Sequence, residues 1–574
     1  MGTARLALST GTRPALLKAA PAVTLVLFLG PIAGGLAGTA GPAFGWLPAI
    51  GGNALSLDPW RSLFAWPGFA SSLRVTVTTG FAATAISLGL VIAFCAACHG
   101  TAAFRRAQAF LAPMLATPHA ALAIGFAFLI APSGMLARLA SPWATGWTRP
   151  PDIASVNDEG GLALIAGLVL KEVPYLLLVT LAALNQVRAE ALMRAARTLG
   201  YAPMMGWMKV VLPLVYPQIR LPIYAVLAFS LSVVDVALIL GPGTPPTLAV
   251  LVMRWFSDRE LSLWFPASAG ALLLAALVAT AVAAWRLAEW AIARAARTWL
   301  EAGARGGFAP ASGLIAATTL GTVLALSAGA VAMLALWSFA GAWRFPDALP
   351  RFWTLATWQA QSTGLVSLAA TTLLIGAAAT AIAVVLALLC LEAEQRFDIV
   401  PGRGALMLLY LPLILPQISF LFGLQVALVR LGIDGTVAAV IWAHLLFVLP
   451  YVFLTLADPW RAIDTRLARN AASLGAGPWR VFLAVKLPVM LRPILIAAAV
   501  GFAVSAGQYL PTLFAGAGRV STLTTEAVTL AGGSDRRIVG AYAMVQALLP
   551  LAAYAAALAA PAILWRNRRG LAVT

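Results

Sequence analysis

The chain is punctuated by apolar runs of about 20 residues, the length an α-helix needs to cross the roughly 30 Å hydrocarbon layer of a bilayer. Six such runs lie near 17–38, 71–97, 108–131, 161–184, 214–240 and 265–288. Six more lie near 314–339, 364–391, 404–430, 435–457, 490–514 and 540–564. In hydrocarbon every backbone N–H and C=O must find a partner, and a helix is the structure that satisfies them within one segment. With 61% hydrophobic and 10% charged residues, a water-soluble fold would expose large apolar patches. The chain therefore reads as an all-α integral membrane protein of about twelve transmembrane helices. They form two six-helix halves, 1–297 and 298–574, joined by a short polar link from about Arg294 to Ser312.

Charge gives orientation rather than a nucleic-acid partner. The net charge of +18 is carried mainly by Lys and Arg in short loops, which stay on the cytoplasmic side of an anionic membrane. This places Arg105 and Arg106, the link with Arg294, Arg297 and Arg305, the tail with Arg566, Arg568 and Arg569, and both termini in the cytoplasm. Arg5, Arg13 and Lys18 ahead of the apolar segment 22–36 mimic a signal peptide, but no clear cleavage site follows, so the segment reads as a retained first span. Cys95 and Cys98 form a C-x-x-C with no matching second pair, and Cys390 is alone. Small packing residues, not zinc ligands, are the reading, and no metal or other cofactor is expected.

One short pattern occurs twice. Arg194-Ala195-Ala196-Arg197-Thr198-Leu199-Gly200 is followed after nine residues by Val210, one residue and Leu212-Pro213. Arg469-Asn470-Ala471-Ala472-Ser473-Leu474-Gly475 is followed at the same spacing by Val485 and Leu487-Pro488. Both copies sit in polar, basic stretches between apolar runs. Strong helix formers precede a Gly able to end a helix left-handed, then a second short helix leads to a Pro in the first turn of the next span. One copy alone could be an interfacial amphipathic helix; two at identical spacing point to a docking element for a grooved partner. The repeat extends further. Pro118 and Gly125 match Pro416 and Gly423, placing His119 opposite Gln417; Pro174-Tyr175 matches Pro450-Tyr451; Phe229 and Asp235 match Phe502 and Gln508. Because six spans return the chain to its starting side, the halves are parallel repeats about an axis along the membrane normal, with a cavity between them near the midplane.

The doubled pattern resembles the EAA loop of the membrane subunits of ATP-binding cassette importers: Glu-Ala-Ala, three residues, Gly, nine residues, Ile, one residue, Leu-Pro. In layout the chain is similar to fused permeases of the ferric iron, thiamine and polyamine group, and the stretches 232–246 and 508–512 resemble a little-characterised fused branch of it. The resemblance implies a type I importer permease in the bacterial inner membrane, coupling helices from both loops seated on two ATPase subunits forming a homodimer, and a periplasmic binding protein delivering the solute. Arg194, Ala195, Ala196, Gly200, Leu212, Pro213, Arg469, Ala471, Gly475, Leu487 and Pro488 are the coupling-loop residues so implied. Arg194 and Arg469 stand where the pattern has Glu, and Asn470 replaces its first Ala, so any salt bridge made by that Glu in relatives is lost here. No G-x-x-x-x-G-K-[ST] phosphate cradle occurs, so ATP hydrolysis belongs to a separate subunit and the chain itself is not an enzyme.

Ionisable residues inside spans are expensive and usually face a cavity or a partner helix. Asp235 and Gln508 are the first candidates for the pathway wall, His119 and Gln417 the second, Lys171 and Glu172 the third; for each, a polar interhelical clamp is the plainer alternative. His99, His119 and His444 are too far apart in sequence for a metal motif, which weighs against a membrane enzyme. A twelve-span secondary transporter shares the helix count but has no use for two docking loops. Asp235 and Glu172 lean toward a cationic solute, with a sulfur-containing or anionic one left open. The Trp- and Pro-rich external loop 131–160 is longer than its counterpart near 432–435, an asymmetry suited to orienting one binding protein.

Overall fold

The computed structural model describes residues 12–306, 311–399 and 402–564. Arg5, Arg566, Arg568 and Arg569, used for orientation, lie outside them. Ten of the described helices are long and apolar enough to cross a membrane, and a pair bent by 74°, Pro478–Val489 with Leu491–Ala506, makes eleven. The twelfth position is held by the shorter Ile418–Arg430. In chain order span 1 is Thr12–Ala43, span 2 Phe69–Cys98, and span 3 the two pieces Ala102–Ala116 and His119–Ile130. Span 4 is Leu162–Gln186, span 5 Leu212–Ser232 and span 6 Trp264–Glu301. Spans 7 and 8 are Ala311–Phe339 and Ser362–Phe397, and span 9 ends in Ile418–Arg430 after the short pieces Arg403–Leu409 and Leu411–Ile414. Spans 10, 11 and 12 are Val437–Arg461, Leu491–Ala506 and Arg536–Leu564. The β-structure in the described residues amounts to a two-residue pair, Trp46↔Asn53 and Leu47↔Gly52, and a bridge between Ala340 and Trp353.

Four continuous spans expected from hydropathy are broken or shortened. Span 3 stops at Thr117, whose backbone is extended (φ −69°, ψ 125°) because Pro118 follows it. Leu415 before Pro416 in span 9 has almost the same angles (−76°, 126°). Spans 5 and 11 end at Ser232 and Ala506, short of the 240 and 514 read from hydropathy, and each is followed by a separate short helix, Asp235–Leu240 and Leu510–Gly516. The run of apolar residues hides these breaks, since hydropathy measures side chains and not backbone direction. The link is also less open than its polarity suggested, because span 6 remains helical to Glu301.

The halves interlock. Span 1 packs on span 9 and span 8, and span 7 packs on spans 2, 3 and 4, so each half's first helix lies against the other half. Apolar lipid gives helices no hydrophobic reason to associate, so close backbone approach through small residues supplies the packing. At the first crossing Gly423 meets Gly35 and Gly38; a Cβ on Gly38 would fall 2.9 Å from the Gly423 Cα, and one on Gly423 would overlap the Gly35 carbonyl. Thr39 seals it, donating to the Gly35 carbonyl (3.0 Å) and accepting from the Gly423 N–H (3.1 Å). At the second crossing a Cβ on Gly125 would overlap the carbonyl of Ala330 in span 7. The two matched glycines of the repeat thus mark where the opposite half crosses.

Candidate functional site

The two loops fold alike. The first is a helix Ala189–Thr198, a bend at Gly200 (φ 83°), a short helix Pro203–Gly206 and a π-turn Trp207–Val211 leading into span 5 at Leu212-Pro213. The second is Thr465–Ser473, Gly475 (φ 82°), Pro478–Val481, a π-turn Phe482–Lys486 and Leu487–Val489. Each bend closes with the same pair of hydrogen bonds: Gly200 and Tyr201 N–H to the Arg197 and Ala196 carbonyls, Gly475 and Ala476 N–H to the Ala472 and Ala471 carbonyls, all 3.0 Å. Such a closure satisfies the orphan carbonyls of the helix end and requires the left-handed residue that Gly supplies without a Cβ clash. Arg194 and Ala195 face solvent while Ala196 is buried; Arg469 is exposed, donating to the Thr465 hydroxyl of its own helix (3.2 Å), and Ala471 is half-buried. Leu199 and Leu474, at equivalent positions, are 60% and 88% exposed, a pair of apolar side chains set on otherwise polar surfaces.

The breaks in spans 3, 5, 9 and 11 gather the intramembrane polar residues. His119 opens the helix after Pro118, and Gln417 caps the one after Pro416. Asp235 and Gln508 lie at the breaks after spans 5 and 11. The His119 ring lies 4.7 Å from that of Phe229 in span 5. Across the halves, a Cβ on Gly507 would sit 3.9 Å from Pro118 Cβ, and Asp235 is an electrostatic neighbour of Tyr509. His119, Gln417, Asp235, Phe229 and Tyr509 are all part-exposed although they lie deep between the helices.

Side chains from neighbouring helices brace several of the segments around these breaks. Buried Lys171 donates to the carbonyls of Met114 (3.1 Å), Leu115 (3.1 Å) and Thr117 (2.5 Å), the open end of span 3's first piece. Its ammonium is thereby occupied by the scaffold, the clamp role weighed for it above. In the second half buried His444 joins spans 10 and 11 to the following helix through Ser505 Oγ (2.7 Å) and Thr512 Oγ1 (2.8 Å), and Thr512 donates to the Gln508 carbonyl (3.1 Å). Sequence reasoning passed His444 over because it was tested only as a metal ligand. Two further braces went unseen: Thr76 accepts from the Leu248 N–H (2.8 Å) and Thr372 from the Leu523 N–H (3.0 Å), a twin pair legible once the repeat is extended. Among the described residues no group of three or more His, Cys, Asp or Glu is placed to hold a metal ion.

A cluster of aromatic rings lies between the halves. Phe256 stacks on Phe422 at 4.2 Å and meets Phe514 at 6.0 Å, and Trp264 meets Phe422 at 5.3 Å. On spans 4 and 10, Tyr175, Tyr451 and Glu172 lie within electrostatic reach of one another, and the two tyrosines within reach of Tyr410; the three tyrosines are part-exposed, whereas Glu172 is 5% exposed.

Comparison with known proteins places this arrangement in a family. The chain is 36% identical over 507 residues to the inner membrane ABC transporter permease protein YnjC of Escherichia coli K12, covering 88% of this chain and 90% of that protein. The chain belongs to the ABC transporter permeases. Over shorter stretches this permease is also similar to the molybdenum transport system permease protein ModB of Mycobacterium tuberculosis, 32% identical over 30% of the chain and 70% of ModB. It is 27% identical to the putative 2-aminoethylphosphonate transport system permease protein PhnV of Salmonella typhimurium, over 21% of the chain and 46% of PhnV. No protein-family model matches the chain. The permease is therefore a multi-pass inner-membrane transport subunit, not an enzyme, of a system that works with ATPase and solute-binding partners.

Proposed function

We propose that the permease carries a small polar solute between its two halves, residues 1–297 and 298–574, while both Gly-bend loops dock on a homodimer of one ATPase. The observation that carries this reading is the identical backbone closure at Gly200 and Gly475, because two equivalent handles suit two copies of one grooved partner. Arg194, Ala195, Ala196, Gly200, Leu212 and Pro213 present the first handle; Arg469, Ala471, Gly475, Leu487 and Pro488 present the second. Loops and termini then face the cytoplasm, and a periplasmic binding protein meets the opposite face. Asp235, Gln508, His119 and Gln417 line the route at the four breaks, with Glu172 below them and Lys171 holding span 3 in shape. ATP-driven approach of the two docked loops rocks the halves about these breaks, so the aromatic layer at Phe256, Phe422 and Phe514 opens in one state and closes in the other.

The carboxyl groups of Asp235 and Glu172 favour a solute bearing positive charge. ModB and PhnV, named for molybdenum and 2-aminoethylphosphonate, match only part of the chain.

Replacing both Gly200 and Gly475 with Val tests the docking. A β-branched residue at these left-handed positions costs about 1–2 kcal/mol each and unwinds the bend. The double variant is expected to reach the membrane but to lose the ATPase on affinity purification; full ATPase recovery refutes the docking role.

A further inference from the structure

The twin loops are not held alike. On the first, the segment that joins the halves lies over the bend: the Ala202 N–H donates to the Arg305 carbonyl (2.8 Å), and the Arg305 guanidinium sits 5.8 Å from the centre of the Tyr201 ring. A Cβ on Gly200 would meet Arg305 Cδ at 3.9 Å. One turn on, buried Lys209 donates to the Trp299 carbonyl (3.0 Å) and lies 4.7 Å from the Trp299 ring centre. Among the described residues the second bend has no such cover. A Cβ on Gly475 would meet nothing within 4 Å, the helix before it buries none of its residues, and Ala484 stands where the Gly200/Gly475 spacing puts Lys209. Its anchor lies elsewhere, at the end of its π-turn, where Lys486 reaches Glu392 (2.5 Å) and Gln395 (2.9 Å) of span 8.

The cover itself is firmly based. It is the continuation of span 6, which is fixed to span 5 by buried Glu289. That carboxylate accepts from Tyr216 (2.9 Å) and Tyr224 (3.0 Å) and pairs with Arg220 (2.9 Å) and Arg286 (3.0 Å). Removed from water, a carboxylate with four donors is a stiff junction, since loss of any donor leaves charge uncompensated.

We propose that the link between the halves is a clasp on the first loop, making Trp299 and Arg305 positioning residues for coupling through that loop alone. The first handle is thereby held in its docked shape by the link, while the second, folded alike, lacks that hold among the described residues. A preorganised handle binds more tightly than one that must be ordered on contact. The functional part of this inference rests on the docking reading given above.

The test uses the full chain in detergent, without partners, labelled with a nitroxide at Leu199→Cys or at Leu474→Cys; the native cysteines are buried. The label at 199 is expected to be immobilised relative to that at 474. Trp299→Ala with Arg305→Ala should free the label at 199 and leave that at 474 unchanged, and Trp299→Phe alone should keep 199 immobilised. Added ATPase subunit should then bind the Trp299→Ala, Arg305→Ala chain about fivefold more weakly than the unaltered chain. Equal mobility at the two sites in the unaltered chain, or no change at 199 in the double variant, overturns the clasp. Absence of any ATPase binding to the unaltered chain overturns the docking reading instead, because the label contrast is measured with no ATPase present.

Discussion

Single residues decide how closely the halves of this permease approach, and in the proposed route they decide what meets the cargo. Gly423 has the carbonyl of Gly35 where a side chain would go, and both backbones belong to helices that cannot separate without opening the interface between halves. Overpacking of this kind costs about 1–3 kcal/mol, and more where the obstacle is backbone. Gly423→Val is therefore expected to lower the thermal midpoint of the purified protein and its monodisperse yield, with Gly321→Val, where a Cβ meets nothing within 4 Å, as the neutral comparison. Asp235 is different in kind. It starts a short helix at the break, part-exposed and within electrostatic reach of Tyr509 of the other half. Asp235→Asn keeps the shape and removes the charge, so uptake into proteoliposomes should fall at least tenfold while ATPase association persists. Normal uptake would take Asp235 off the route.

At the level of elements, broken helices do what unbroken ones do not: they turn backbone groups toward a cavity at membrane depth, provided something satisfies the rest. Lys171 is such a partner at span 3, Thr76 and Thr372 accept from the first N–H groups of the helices at Leu248 and Leu523, and His444 ties the hydroxyls on either side of the break at Gln508. The helix Ala189–Thr198 has an electrostatic neighbour in His99, at the end of span 2. Burial holds its imidazole below the ordinary value of 6.5, with Glu190 opposing the shift and Arg197 adding to it. Protonation is thus resisted in the native state. The unfolded chain takes up its proton below about pH 6.5 while the native chain does not, so stability is complete above that pH and declines as acid is added. The thermal midpoint should therefore drop on going from about pH 7.5 to about pH 5.5, and His99→Asn should flatten that slope. An unchanged slope in the variant would assign the dependence to another group.

For the whole molecule the exchanged first helices matter most. Span 1 sits on spans 8 and 9 and span 7 on spans 2, 3 and 4, so neither half owns a complete core. Residues 1–306 expressed alone should fail to accumulate, whereas 1–306 and 307–574 produced together should copurify and restore transport. Stable accumulation of either half by itself would show that the crossings are dispensable.

Much of this architecture was legible before any coordinates. Apolar runs of spanning length, the Gly-to-Leu-Pro spacing and the paired Pro118/Pro416 and Gly125/Gly423 gave the helical class, the two loops and the repeat, because span length and backbone stereochemistry are local properties. The bend at Gly200 and the Pro in the first turn of span 5 follow from those residues alone. What lay beyond the sequence was non-local. That Gly125 and Gly423 receive the opposite half's first helix, that Lys171 caps span 3, that His444 braces the break at Gln508 and that the link lies over the first loop all depend on which surfaces meet. Those meetings are set by side-chain fit across helices far apart in the chain, and hydropathy along one strand of sequence carries no record of them.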